Sequence, residues 1–145
     1  MTGIYKLSRV RTRGFTLTEL LVAMVIVGIL ASIAYPSYLS YLQRSRRTDA
    51  MTALATDQVI LERCYAQNFS YNQACGAMPA FPHASTQGFY TITISNLGPT
   101  TYTLTATPTG AQASDTTCSS FSVDQANTRT AVDNGGTAQT SCWNS

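Results

Sequence analysis

Charge is scarce in this chain. Asp, Glu, Lys and Arg make up 11% of its 145 residues, against about 25% in an ordinary soluble domain. The only lysine is Lys6 and the only histidine is His83. Such a thin supply excludes the usual catalytic sets. A lone imidazole, scattered carboxylates and no glycine loop followed by lysine offer neither a nucleophile–base pair nor a phosphate cradle. Ser119 and Ser120 near Asp124 read as ordinary strand and turn composition. The four cysteines, Cys64, Cys75, Cys118 and Cys142, lack the close pairing of a zinc site, and His83 alone cannot complete one. No enzyme, metal or cofactor is indicated.

The little charge present is unevenly placed. Lys6, Arg9, Arg11 and Arg13 all precede Phe15, and no acidic residue accompanies them. Loss of that leader would leave five basic residues against seven acidic ones, a net charge of −2. Arg44, Arg46 and Arg47 form one cluster, and only Arg63 and Arg129 follow. A region so poor in cations is a weak binder of a phosphate backbone. The arginine cluster is expected to face lipid head groups or acidic residues such as Asp49 and Asp57 on neighbouring subunits.

What the chain has in abundance is one apolar run. Between Glu19 and Arg44 nothing is charged, and residues 20–34 are almost wholly apolar. As a helix, residues 15–35 span roughly 30 Å of hydrocarbon. The basic leader keeps its end in the cytoplasm. Glu19 is the anomaly, because a carboxylate at a bilayer centre costs about 2.5–3.5 kcal/mol and less near an interface. A secretory signal peptide, cut before Tyr35 after the small residues Ser32 and Ala34, is the plain alternative. It gives Glu19 no purpose. It also stops short of the helical pattern that continues through Ala50, Leu54, Leu61 and Cys64/Tyr65.

The stretch GFTLTELLVAMVIVGILASIAYPSY resembles the N-terminal signature of type IV pilins and pseudopilins. The resemblance implies cleavage by a prepilin peptidase between Gly14 and Phe15, with N-methylation of Phe15. It implies a leader over 1–14, a transmembrane and filament-core helix over 15–43, and a periplasmic or extracellular globular domain over 44–145. Glu19 matches the family's assembly glutamate, whose charge the N-terminal amine of a neighbouring subunit is thought to neutralise. Gly28 and Pro36 both weaken a helix. In related filaments the matching stretch loosens during polymerisation. Implied partners are other pilin subunits, the peptidase/methylase, the bacterial inner membrane and the pilus assembly platform.

Beyond residue 67 the pattern changes. NFSYNQACGAMPAFPHASTQG reads as a connecting loop that holds His83. Alternation then marks strands over 89–95 and 102–107 and around Phe121 and Val123, with a weaker one over 128–132. The expected class is α+β, a long N-terminal helix packed on an antiparallel sheet of three or four strands. The resemblance implies the same pilin fold. An export-type N-terminus and an even cysteine count favour two disulfides. Of three pairings, Cys64–Cys75 would close the helix-to-sheet loop and Cys118–Cys142 would pin the C-terminal tail, which is also a pilin habit. The Cys118…Cys142-Trp143 ending is most like minor pilins of the PilE/ComP kind, some of which bind DNA at uptake. The scarcity of arginine argues against transferring that property. The expected role is a structural, minor pilin in pilus assembly. A DNA- or surface-binding minor pilin, a type II secretion pseudopilin and a major pilin share the same N-terminus.

Overall fold

The computed structural model describes residues 14–73 and 75–144. All of the expected leader except Gly14 lies outside them. The chain divides into two compact units, residues 1–38 and 39–145, and one helix, α1 (Leu17–Asn68), supplies residues to both.

In the first unit every described residue is exposed, which is the condition of a helix whose apolar surface is made for lipid or for other helices. The helix is continuous through Gly28 and Pro36. The Ser32 hydroxyl donates to the Ile29 carbonyl at 2.7 Å.

The second unit is built on a meander. β1 (His83–Ala84), β2 (Tyr90–Ser95), β3 (Thr103–Pro108), β4 (Ser120–Asp124) and β5 (Arg129–Val132) follow one another in space as in sequence, antiparallel throughout. Two 3₁₀ turns, Gly110–Ser114 and Thr140–Asn144, complete it. The sheet has five strands where the sequence suggests three or four. β1 is the addition, and its two residues are too few to show any alternation. His83, expected in a loop, is one of them and pairs with Ile92.

One sheet face supplies the core. Tyr90 and Ile92 of β2, Leu104 and Ala106 of β3, Phe121 and Val123 of β4, and Ala131 of β5 are buried with Ala50, Ala53, Leu54 and Leu61 of α1. Each fully buried large side chain there stabilises the fold by roughly 1.5–3 kcal/mol. Intervening threonines and serines face outward, as period-2 alternation demands. Asn96 and Asn127 take the left-handed conformation, at φ 50° and 58°, in the β2–β3 and β4–β5 turns, where Asn is well tolerated.

Candidate functional site

Gly14 and Phe15 are exposed and precede the first helical turn. Thr16 caps that turn. Its backbone N–H donates to Glu19 Oε2 at 3.0 Å and its hydroxyl to the same oxygen at 2.8 Å. The Glu19 N–H returns a bond to Thr16 Oγ1 at 3.3 Å. The first helical bond, from the Leu20 N–H to the Thr16 carbonyl, measures 3.2 Å. This is a reciprocal capping box, in which threonine and glutamate satisfy two otherwise orphaned backbone donors and a carboxylate meets the positive end of the helix dipole. Thr16 is missing from the residues that sequence reasoning singled out. The signal was present as T-x-x-E ahead of an apolar run. Glu19 therefore has partners within its own chain.

The second unit holds its charged residues differently. Arg47 is buried, and its Nε and terminal nitrogen reach both Asp115 oxygens at 2.7 and 2.9 Å. Asp115 also accepts from the Cys118 N–H at 3.2 Å and from Gln112 Nε2 at 3.3 Å. Gln112 Nε2 in turn reaches the Tyr90 hydroxyl and the Gln43 carbonyl. Asp49 accepts from the Ser85 hydroxyl and from the Gln87 and Phe89 N–H groups, closing the turn before β2. Asp57 meets His83 Nε2 at 2.9 Å.

This corrects the expectation for the arginine cluster. Arg47 is matched inside its own fold, and Asp49 and Asp57, proposed as partners on other subunits, are buried and engaged within the chain. Arg46 lies over the Phe89 ring at 4.7 Å. Arg44 stays exposed, bonded to the Ser40 carbonyl of its own helix. Burial costs a charge so much that each inward-facing one has acquired a dedicated partner.

Burial raises the Asp57 carboxyl above the ordinary carboxylate range, and the charge of His83 opposes that rise. Burial also pushes the Tyr90 and Tyr102 phenols up to about 12, so both stay neutral as packing and hydrogen-bonding groups. Tyr71 is raised as well, by burial and then by its bond to Glu62. Asp124 and Asp133 lie at turns. Backbone N–H groups, foremost those of Thr128 and Thr137 respectively, hold both carboxyls below the usual range.

Cys64 is bonded to Cys75, with Cα atoms 5.7 Å apart, and Cys118 to Cys142 at 5.8 Å. The C-terminal turn is tied down further. Trp143 Nε1 donates to the Thr130 carbonyl at 3.0 Å, and its indole meets Phe121 edge-on at 5.6 Å. The site residues thus fall into two groups. Gly14, Phe15 and Glu19 cluster at the start of α1 with Gly28 and Pro36 further along it, and the four cysteines staple the second unit.

Comparison with known proteins gives this arrangement a family. The family model described as "Type IV minor pilin ComP, DNA uptake sequence receptor" matches residues 36–122, and the "Prokaryotic N-terminal methylation motif" matches residues 9–35. The type IV major pilin protein PilA of Myxococcus xanthus is 48% identical over 44 residues, covering 30% of this chain and 20% of its own length. The prepilin peptidase-dependent protein D of Escherichia coli is 30% identical over 76 residues, covering 52% of each. The chain thus spans from a fifth to about half the length of these two relatives. Among solved structures, the non-core minor pilin PilV of Neisseria meningitidis shares the fold, with a TM-score of 0.54 at 20% identity over 70% of this chain and 97% of that one. With a family model covering more than half of it, a methylation motif at its head and the pilin architecture beneath both, the chain belongs to the type IV pilins, in the ComP minor-pilin family.

Proposed function

We propose that this chain is a minor subunit of a type IV pilus, taking part in filament assembly. In this reading a prepilin peptidase cuts between Gly14 and Phe15, Phe15 is N-methylated, and the leader over 1–14 is discarded. The helix over 15–43 then holds the subunit in the inner membrane until the assembly platform moves it into the filament core. The globular part over 44–145 is periplasmic first and extracellular later.

One observation carries the reading: a single carboxylate, Glu19, stands directly after Gly14-Phe15 at the head of an apolar stretch of α1 that is exposed throughout residues 17–38. The capping box adds a step. Before assembly Thr16 partly compensates the Glu19 carboxylate, which reduces its cost in the membrane. After cleavage, the new Phe15 ammonium of a neighbour supplies the countercharge in the filament core, where an unpaired carboxylate is prohibitive. Gly28 and Pro36 mark where the helix loosens as it passes from membrane to filament.

Mass spectrometry of sheared filaments tests this. The expected result is a trace subunit that begins at Phe15 with one added methyl group and is depleted in Glu19→Ala. A mature protein beginning at Tyr35, or undiminished incorporation of Glu19→Ala, would sink the proposal. A second reading, a DNA-uptake receptor, is favoured by the description of the matching family. Against it stands the inventory of guanidinium groups, of which Arg47 is already consumed by Asp115. DNA retention that weakens steeply with salt would support it.

A further inference from the structure

The second unit carries a groove of about 680 Å³ between α1 and the β5/C-terminal edge, lined by Met51, Ala55 and Val59 of α1, by the Trp143 indole, and by Arg63 and Arg129. Two features set it apart from ordinary surface. Val59 presents an aliphatic side chain at 57% exposure. Neither arginine has a carboxylate partner, since the ion pairs among the described residues are Arg47–Asp115 and His83–Asp57. Among the described residues Arg129 meets neutral groups, donating from Nε to the Asn127 side-chain oxygen Oδ1 at 3.2 Å and lying over the face of Trp143 at 5.3 Å.

The acidic residues of this unit cannot supply the missing charge. Asp49 is held by the turn before β2, Asp57 by His83, Glu62 by the Tyr71 and Tyr102 hydroxyls, and Asp115 by Arg47. Asp124 and Asp133 are held by their own turns. A carboxylate partner for either arginine would have to come from another molecule. A phosphate strand fits poorly, because two cations make a short track and the indole is covered by Arg129 and abutted by Phe121, leaving a poor platform for a base. An apolar peptide segment bearing a carboxylate fits well. Its side chains would cover Val59 and Ala55, and its carboxylate would take the planar donor fork of a guanidinium.

We infer that this groove receives an apolar, carboxylate-bearing segment of a neighbouring pilin subunit. The inference rests on the filament-subunit reading above. Full-length protein in its own cells carries a photocrosslinking residue at Val59 in one strain, and Arg63→Glu or Arg63→Glu/Arg129→Glu in others. The subunit is then quantified in sheared filaments. Irradiation is expected to join Val59 to a pilin peptide containing Asp or Glu. Both charge variants are expected to incorporate about tenfold less than wild type, the scale of a lost interfacial charge pair. Reversing the crosslinked acid to arginine should restore them. Arg63→Glu guards against misfolding, since Arg63 makes no hydrogen bond or ion pair among the described residues, and the variant's Trp143 fluorescence should match wild type. Wild-type abundance of both variants in filaments, or crosslinks to DNA or to a non-pilin protein, overturns the groove contact alone. Absence of the wild-type subunit from filaments overturns the function on which it rests.

Discussion

Replacing Arg47 with alanine removes one half of a buried pair and leaves the other half in place. Asp115 is 2% exposed, so its carboxylate cannot recover its hydration. Breaking such a pair from one side costs about 3–5 kcal/mol. The Cys118 N–H and Gln112 Nε2 remain as donors to Asp115, which places the expected loss near the lower end, about 3 kcal/mol. Urea unfolding of full-length protein in detergent micelles measures it, with disulfides intact. The single tryptophan, Trp143, reports on the second unit alone. With a slope of about 1–3 kcal/mol per molar urea, the midpoint should fall by about 1–3 M.

Two controls separate burial from surface attraction. In 1 M salt, where the screening length is about 3 Å, an exposed pair would lose its value and a buried one would keep it. The double variant Arg47→Met/Asp115→Asn has no orphaned charge, so it should be more stable than the summed single effects imply, by about 2 kcal/mol. A wild-type urea midpoint for Arg47→Ala would refute the reasoning. So would strict additivity of the two single variants.

Two further outcomes follow from the same structure. Cys118→Ser/Cys142→Ser opens a link across 24 residues and should cost about 3 kcal/mol in the chain-entropy view, read as a lower urea midpoint; an unchanged midpoint would mean the tail is held by Trp143 and its neighbours instead. His83→Ala leaves the buried Asp57 carboxylate without its partner and should cost about 1.5–3 kcal/mol at pH 7. The native Asp57 pKa is already raised by burial, so protonation favours the folded state. That contribution is complete below the ordinary carboxylate pKa and disappears as pH rises through the raised value. The penalty of His83→Ala should therefore shrink as pH falls into the acid range, and a penalty independent of pH would contradict the charged pair.

The parts of the fold that were legible in the sequence are those in which one-sided burial writes a period. Tyr90 and Ile92, Leu104 and Ala106, and Phe121 and Val123 alternate with polar neighbours, and each pair lies on a strand with its apolar members inward. Glu19 was legible because a charge inside an apolar run has no background to hide in. Its bond to Thr16 is written just as locally, as T-x-x-E at the start of the helix. Arg47, Asp49 and Asp57 were not legible, since a rule that sends charge outward misplaces every buried ion. Their partners lie 26 to 68 residues away, and no local pattern announces them.

Those three residues also distinguish the two parts of the one helix. Over residues 20–43 it carries no charge, and an apolar surface of that kind fits lipid or other helices in many rotations. From Arg47 onward the buried face alternates alanine, leucine and charge. Arg47 is fastened to Asp115 after the 3₁₀ turn, Asp49 to the segment before β2, and Asp57 to β1. Sliding α1 by one turn would bring Ala53 or Leu61 to His83 and leave three inward charges without partners, at several kcal/mol each. Apolar packing of Ala50, Leu54 and Leu61 supplies the affinity of helix for sheet, and the three polar fastenings allow it only one register.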